Sequence, residues 1–385
     1  MRSAQPHPGK PLAGLRVIEL ARILAGPWCG QLLADLGAEV IKIEKPDGGD
    51  DTRHWGPPFL NDADGNDRDA AYFHAANRGK TSVAIDIASA EGQAQVGELV
   101  RSADVLIENF KVGGLARYGL DHASLSAINP GLVTCSITGF GQTGPYAHRA
   151  GYDFIIQAMG GAMSLTGEPD GTPQKAGVAY VDIFTGIYSA VAILAALRQR
   201  DSSGRGCHID MALLDVQVGV LANQALNWMA SGQVPRRMGN GHPNLVPYQA
   251  FACSDGELVI AVGNDAQFRR LIDLLGLDIA NDSRFARNAD RVANRGALIA
   301  AITRATLEWR RDDLAEGLER AGIPNGKIND IGEVFADPQV VARGMQIVAD
   351  GLPGLAGPIV IDGHRPIAEH GSPARPVERR PAMEC

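Results

Sequence analysis

The sequence lacks the features of several common protein classes. Only 5% of its 385 residues are aromatic, and a formal net charge of −8 gives no general positive field for a nucleic acid. Its five cysteines form no Cys-x-x-Cys pair and its nine histidines form no His-Glu-x-x-His pattern, so we expect no metal site. No Gly-x-Ser-x-Gly motif is present, which removes the usual signature of a serine hydrolase.

Long apolar runs are also absent. The longest apolar stretch covers residues 187–197, whereas a helix that spans a bilayer needs about 20 residues. Residues 1–10 are polar and contain proline, so they do not resemble a signal peptide. We therefore expect a soluble cytoplasmic protein that binds neither membrane nor nucleic acid.

Strand and helix patterns alternate through the first half of the chain. Residues 15–20 form a short apolar run, residues 28–36 have the apolar period of a helix, and residues 40–43 form a second apolar run. A strand–helix–strand unit of about 30 residues predicts parallel pairing. Further strand patterns occupy residues 82–86, 105–107 and 132–137. They predict a doubly wound, Rossmann-like α/β domain, and the first strand–helix turn has no dinucleotide-binding glycine motif.

A change of composition after about residue 239 indicates a second domain. Residues 251–262 predict two strands around an Asp-Gly turn, and helical patterns follow. We predict a smaller α+β domain at residues 225–330. The large domain is predicted to comprise residues 1–205 and 331–385, with linkers at 206–224 and about 326–335.

Asp182 stands immediately before a predicted apolar helix, in the segment GVAYVDIFTG at residues 177–186. An aspartate at such a position is most often an N-cap, whose carboxylate accepts hydrogen bonds from the first free amides. No serine elbow, cysteine–histidine motif or metal motif competes with it as a nucleophile. On position alone, capping is the more frequent role and nucleophilic catalysis remains the alternative.

Ordered segments over most of the chain resemble the family III CoA-transferases, which include formyl-CoA and carnitine CoA-transferases. The segments are PLAGLRVIEL (11–20), LGAEVIKIE (36–44), GDDTR (49–53), NRGK (77–80), ADVLIENF (103–110), TGFGQTGP (138–145), GYD (151–153) and TG (166–167). Each is weak alone, whereas their order and spacing are specific. The resemblance implies an enzyme of acyl-CoA metabolism whose CoA thioester is a substrate, with no permanently bound cofactor.

The resemblance also implies roles for individual residues. The family's catalytic carboxylate falls on Asp182, which would form a mixed anhydride with the donor acyl group and then an aspartyl-CoA thioester. Contacts to the CoA nucleotide fall on Arg53, Lys80, Asn109, Phe110 and Arg117. Arginine and lysine suit this role because they bind phosphates. Family members form interlocked homodimers, so a homodimer is expected.

Other segments are similar to the succinyl-CoA:glutarate CoA-transferase branch of this family. They are GDDTRHWGPP (49–58), GNGHPNLVPYQAF (239–251) and GNDAQF (263–268). The last aligns with the glycine-rich lid of formyl-CoA transferases but has one glycine. The predicted lid residues are Gly263, Asn264 and Gln267. The predicted substrate residues are Leu24, Phe140 and Tyr152.

The acceptor is expected to be a dicarboxylic acid rather than oxalate. Leu24 and Phe140 stand where formyl-CoA transferases carry glutamine and tyrosine. Candidate partners for the distal carboxylate are Arg22, Arg236 and Arg237.

Two other functions fit the same fold. The α-methylacyl-CoA racemases have a histidine where this chain has Tyr152, and a tyrosine with an ordinary pKa of about 10 is a poor base at neutral pH. A CoA-binding homologue without catalysis is the second alternative, and the intact segment around Asp182 argues against it.

Overall fold

The computed structural model describes residues 10–61 and 67–376, and its contacts divide the chain into two compact units. The first unit contains the described residues up to 162, residues 175–233 and the described residues from 338 onward. The second unit contains residues 163–174 and 234–337. Each unit has its own hydrophobic core.

A parallel sheet forms the centre of the first unit. The strands of this unit up to residue 233 are β1 (Arg16–Glu19), β2 (Glu39–Glu44), β3 (Phe59–Asn61), β4 (Asp67–Ala70), β5 (Lys80–Ala84), β6 (Val105–Glu108), β7 (Val133–Thr138) and β8 (His208–Ala212). Six of them form one sheet in the order β5-β2-β1-β6-β7-β8, and all of its pairs are parallel. The predicted α/β class with a parallel sheet is confirmed.

Helices cover both faces of this sheet. They are α1 (Ala25–Asp35), α2 (Ala71–His74), α3 (Ala90–Arg101), α4 (His122–Ile128), α5 (Asp153–Met159), α6 (Ala162–Leu165, at the boundary with the second unit), α7 (Tyr180–Ser203), α8 (Leu213–Gly219) and α9 (Ala222–Ser231). Val17 belongs to the core on one face and its neighbour Ile18 to the core on the other. Burial on both faces explains why the strands are continuous apolar runs.

The long helix α7 packs closely against α1. A Cβ atom at Gly186 would lie 2.7 Å from the carbonyl oxygen of Ala25 and 3.0 Å from Cβ of Trp28, so only glycine permits this approach. By length and composition α7 could also cross a membrane, but half of its most apolar 18-residue window is buried. The buried residues Val181, Thr185 and Ser189 follow one face. We therefore interpret α7 as a core helix. It is longer than the apolar stretch at 187–197 that the sequence shows.

The second unit combines a small sheet with helices. Its strands β9 (Tyr248–Cys253), β10 (Gly256–Ala261) and β11 (Asn325–Lys327) are antiparallel in the order β11-β10-β9. Its helices are α10 (Asp265–Leu274), α11 (Asn288–Ala293), α12 (Arg295–Thr306), α13 (Arg311–Arg320) and α14 (Ile331–Ala336). The chain then returns to the first unit through α15 (Pro338–Ala342) and the antiparallel pair β12 (Gln346–Ala349) and β13 (Leu352–Leu355). Short 3-10 helices lie at Asp51–His54, Ala116–Tyr118 and Ser283–Phe285.

The structure corrects the predicted domain boundaries. Residues 225–233 belong to the first unit and residues 331–337 to the second, and two further segments differ. Residues 206–224 are not a linker, because they contain β8 and α8 and the carbonyl of Cys207 accepts a hydrogen bond from Thr134 N at 2.9 Å. Residues 163–174 belong to the second unit, in which Gly239 N donates to the carbonyl of Gly167 at 3.1 Å. The edge strand β8 has exposed polar residues and therefore the composition of a loop, which explains the error at residues 206–224.

Candidate active site

A cavity of about 660 Å³ opens at the carboxyl ends of β1, β6 and β7. The strand order reverses between β1 and β6, and such a reversal leaves a crevice outside the strand ends in open α/β sheets. The cavity is lined by residues 22–25, 109–114, 137–139 and 149–152, with Arg117, Ala147, Asp182 and Leu213. The fold therefore brings together segments that are far apart in the sequence.

Asp182 lies in the first turn of α7 and reaches this cavity. The N-cap of α7 is Ala179, which has no side-chain acceptor. Asp153 supplies the acceptor instead: its Oδ1 accepts hydrogen bonds from the amides of Val181 at 2.9 Å and Asp182 at 3.3 Å. The capping role that position alone favours for Asp182 therefore belongs to Asp153. Within the described part of the chain, no hydrogen bond engages the Asp182 carboxylate.

The surroundings of Asp182 favour its neutral form. Burial raises the pKa of its carboxyl to about 7, and the negative charge of Asp153 adds to this effect. The pKa of Tyr72 is also raised, first by burial and then by the charges of Asp182, Asp153 and Asp50. The Tyr72 phenol therefore keeps its proton in the neighbourhood of Asp182. Sequence reasoning missed Tyr72, since nothing in its local pattern distinguishes it from a core aromatic.

Four cations line the same cavity: Arg22, Lys111, Arg117 and Arg149. Arg22 is paired with Asp51 at 2.7 Å. Arg149 lies over the rings of Tyr146 and Phe140, and among the described residues no carboxylate pairs with it. Sequence reasoning missed Lys111 and Arg149, although Lys111 directly follows a matched segment. A cavity with cations around one carboxylate suits a ligand with several negative groups.

Asn109 holds the loop after β1. Its Oδ1 accepts a hydrogen bond from the amide of Arg22 at 3.0 Å, and its Nδ2 donates to the carbonyl of Arg22 at 2.7 Å. The next residue, Ile23, has φ of 74°, which is strained for a β-branched side chain. Asp50 Oδ1 accepts from the amide of Ile23 at 3.4 Å. The Asn109 amide group is thus engaged in shaping the cavity wall.

Comparison with known proteins shows the family to which the chain with this cavity belongs. Residues 12–383 match CoA-transferase family III. The chain therefore belongs to CoA-transferase family III. It is 58% identical to a succinate–glutarate CoA-transferase of Agrobacterium fabrum over 362 residues, which cover 92% of this chain and 90% of the relative.

Two further relatives agree with this assignment to CoA-transferase family III. The succinyl-CoA:glutarate CoA-transferase of Homo sapiens is 40% identical over 87% of this chain and 76% of the relative. A CAIB/BAIF family crystal structure from Brucella suis is 59% identical, with a TM-score of 0.85, and the match covers 95% of this chain and 96% of the other. The protein is an enzyme that transfers CoA between carboxylic acids. The resemblance inferred from the ordered segments is confirmed.

Two residues that the family resemblance places on CoA lie elsewhere in this CoA-transferase. Arg53 is fully buried, with its guanidinium paired to Glu44 at 2.6 Å and to Asp69 at 2.5 Å. Lys80 is 5% exposed, and its Nζ lies 2.9 Å from Glu19 and 2.9 Å from Asn77 Oδ1. Neither residue lines the cavity. Both neutralise buried carboxylates in the core, and their contact with CoA stays a prediction.

The other predicted CoA contacts of the CoA-transferase do line the cavity. Asn109, Phe110 and Arg117 all belong to its wall, where Arg117 is exposed and lies over the ring of Tyr118. Leu24 and Tyr152 line it as well, whereas Phe140 is buried beneath Arg149. Their contacts with substrate remain predictions.

The predicted lid forms the start of α10 in the second unit. Asn264 is the N-cap of α10, and its Oδ1 accepts from Gln267 N at 2.9 Å. Gln267 Oε1 accepts from the amide of Gly263 at 2.8 Å, which closes the turn. Arg237, a candidate for the distal carboxylate, donates to the carbonyls of Glu168 and Gly171, and Arg236 is exposed. Of the three candidate arginines, Arg22 lines the cavity.

Proposed function

We propose that Asp182 carries CoA as a covalent aspartyl thioester during transfer. The carboxylate attacks the thioester carbonyl of the donor, expels CoA thiolate and leaves a mixed anhydride. The thiolate attacks the aspartyl carbonyl, which releases the donor acid and forms the aspartyl-CoA thioester. The acceptor carboxylate then reverses both steps and leaves as the new acyl-CoA. The supporting observation is the unpaired Asp182 carboxylate beside a cavity lined with cations.

The wall of the cavity offers stabilisation for these steps. The chain enters α1 at Leu24 and Ala25, both of which line the cavity, and the N-cap of α1 has no side-chain acceptor. Helix N-termini carry free amides and partial positive charge, which suit a developing oxyanion. One such donor contributes about 3–4 kcal/mol in acyl-transfer enzymes. No ATP is needed, because the thioester energy is kept in covalent bonds.

We propose a dicarboxylic acid as acceptor, with succinyl-CoA as a donor and glutarate as an acceptor of the suitable class. The relatives named for succinate and glutarate support this choice. Arg149 supports it as well, since among the described side chains it has no carboxylate partner. Asn109, Phe110 and Arg117 are proposed to contact CoA.

A two-stage trapping experiment tests both proposals. The protein is incubated with succinyl-CoA, freed of small molecules, and treated with hydroxylamine, after which peptide mass spectrometry locates the modification. We expect a hydroxamate on Asp182 and none in the Asp182→Asn variant. In the second stage the untreated adduct is mixed with carboxylates, and the CoA esters are separated by liquid chromatography. Glutarate is expected to release glutaryl-CoA much faster than acetate releases acetyl-CoA.

The outcomes separate the two proposals. A wild-type protein that transfers CoA without any adduct at Asp182 contradicts the covalent route. An adduct that acetate and glutarate discharge at equal rates contradicts the dicarboxylate assignment and leaves the covalent route intact.

We also propose a homodimer, on the basis of apolar side chains on the surface of the first unit. Leu226, Trp228 and Met229 of α9 are 63%, 50% and 67% exposed, and Tyr188 and Val191 of α7 are exposed too. Exposed apolar patches of this kind mark association surfaces. Sedimentation velocity at nanomolar protein is expected to give the mass of two chains, and a Met229→Asp, Leu226→Asp variant is expected to dissociate. A wild-type mass of one chain contradicts the proposal.

A cytoplasmic location is proposed as well. The four cysteines in the described residues are free thiols, which fits a reducing compartment.

A further inference from the structure

Asp153 is bonded to the backbone that carries the nucleophile. Its Oδ1 accepts from the amides of Val181 and Asp182, the second and third residues of α7. The residue before the helix, Ala179, occupies the N-cap position and cannot accept a hydrogen bond through its methyl group. The position of the Asp182 peptide therefore depends on a side chain from a different helix, α5.

The second oxygen of Asp153 is also fixed. Gln157 Nε2 donates to Asp153 Oδ2 at 2.6 Å, and Gln157 Oε1 accepts from the amide of Ala176 at 2.9 Å. Asp153 is 9% exposed and Gln157 is 1% exposed, so water does not compete strongly for these bonds. The network links α5, the chain before α7 and the first turn of α7. Asp153 therefore accepts every hydrogen bond that it makes in this network.

The network places a second negative charge near Asp182. In the described structure, no lysine or arginine lies within ion-pair distance of either Asp153 or Asp182. The other titratable groups in its surroundings are the phenol of Tyr72 and the cations that line the same cavity, which are Arg22, Lys111, Arg117 and Arg149. The direct partners of the Asp153 carboxylate are therefore the amides of Val181, Asp182 and Gln157.

We propose that Asp153 is a positioning residue of the CoA-transferase: it fixes the Asp182 peptide and keeps a negative charge beside the nucleophile. The inference rests on the proposed covalent role of Asp182. The pKa of Asp182, raised by burial and by Asp153, agrees with it. A more basic carboxylate is a stronger nucleophile towards the thioester.

The charge of Asp153 also bears on the direction of the second step. Thiolate attack on the aspartyl carbonyl of the anhydride breaks the bond to the donor carboxylate, which leaves with its electron pair. Attack on the other carbonyl expels the Asp182 carboxylate and regenerates the donor thioester. A neighbouring negative charge disfavours a second charge on Asp182, so it makes Asp182 the poorer leaving group. Asp153 therefore favours release of the donor acid.

A double variant separates the charge of Asp153 from its hydrogen bonds. In Asp153→Asn, Gln157→Glu, the new amide oxygen at position 153 still accepts from the amides of Val181 and Asp182. The new amide nitrogen at position 153 donates to the new carboxylate at position 157, and that carboxylate still accepts from Ala176. The number of hydrogen bonds is kept, while the charge moves from position 153 to position 157. Asp153→Ala, which loses the cap, is the comparison variant.

The readout is the pH dependence of kcat/KM for succinyl-CoA, together with the melting temperature. We expect the acid limb of the double variant to move to lower pH by about 1 unit, because the like charge is farther from Asp182. Its plateau kcat is expected to fall several-fold, with a melting temperature near that of the wild type. Asp153→Ala is expected to lower the melting temperature and kcat together.

A double variant with a wild-type acid limb and plateau overturns the inference. If the double variant does not fold, the wild-type protein is titrated by carbon-13 NMR. The Asp182 carboxyl signal is the one that is missing in Asp182→Asn. It must titrate far above the usual range of an aspartate. Titration near pH 4 overturns the inference. Failure of the covalent route is recognised separately, because the wild type then gives no hydroxamate at Asp182.

Discussion

Asp182→Asn is expected to abolish CoA transfer and to stabilise the fold above neutral pH. Loss of the nucleophile should lower kcat by about 10⁴-fold or more. The stability effect follows from the pKa of Asp182, which is about 7 in the folded protein because of burial and Asp153, against an ordinary value of 3.8. Above pH 7 the folded state must keep this carboxylate charged in an unfavourable site. Asparagine removes a cost of roughly 4 kcal/mol there.

The pH window of this effect is fixed by the two pKa values. Below about pH 4 the carboxyl is neutral in both the folded and the unfolded chain, so the wild type suffers no penalty. The penalty grows as pH rises and is complete above the folded pKa of about 7. Melting temperatures of both proteins at about pH 5 and about pH 8 measure it. The gain in Asp182→Asn should be larger at the higher pH, and the exposed control Asp170→Asn should show no such gain.

An equal melting temperature for Asp182→Asn and wild type at the higher pH would contradict this account. It would mean that the Asp182 carboxylate is better solvated or better paired than the structure indicates.

Arg53→Met is expected to unfold the protein or to destabilise it severely, without acting on CoA binding. The arginine is fully buried between Glu44 and Asp69, and its guanidinium lies 3.7 Å from the centre of the Phe73 ring. Methionine leaves the buried Glu44 carboxylate without its ion-pair partner and leaves Asp69 with Arg375 as its remaining cation. Breaking a buried ion pair in this way costs about 3–5 kcal/mol. The free energy of unfolding in urea measures the effect.

Arg117→Met is the matched control for this prediction. Arg117 is an exposed cation of the cavity wall, so its loss should leave the free energy of unfolding almost unchanged. The KM for succinyl-CoA should rise about 10-fold or more, as for a lost hydrogen bond to a charged group. If Arg53→Met instead folds normally and raises KM, Arg53 contacts CoA and the family-based prediction for it stands.

Local patterns predicted the sheet better than the site. Apolar runs such as residues 15–20 and 40–43 correspond to β1 and β2, because strands buried on both faces must be apolar along their length. The charged residues of the site carry no such pattern. Arg53 pairs with Asp69 and Lys80 with Glu19, and a sequence does not show which cations have a buried partner far along the chain.

Asp182 shows the same limit at the position that matters most. Its place at the beginning of a helix predicts a cap, and the acceptor that replaces it, Asp153, precedes it by 29 residues. Family resemblance indicated Asp182 as the nucleophile, whereas only the fold showed that Asp153 takes the capping role. Tyr72 and Arg149 were missed because their relation to Asp182 arises from tertiary structure.

The division of the chain between the two units has a consequence for biosynthesis. The chain passes from one unit to the other after residues 162, 174, 233 and 337, so neither unit is a continuous piece of sequence. Arg78, near the start of β5, donates to the carbonyl of Leu355 at 2.7 Å, and Ala368 N donates to Asp35 at 3.0 Å. These contacts close only after nearly all of these 385 residues have left the ribosome. Folding of the catalytic unit therefore waits for residues after 337, and gene fragments that end before residue 338 should not yield it in native form.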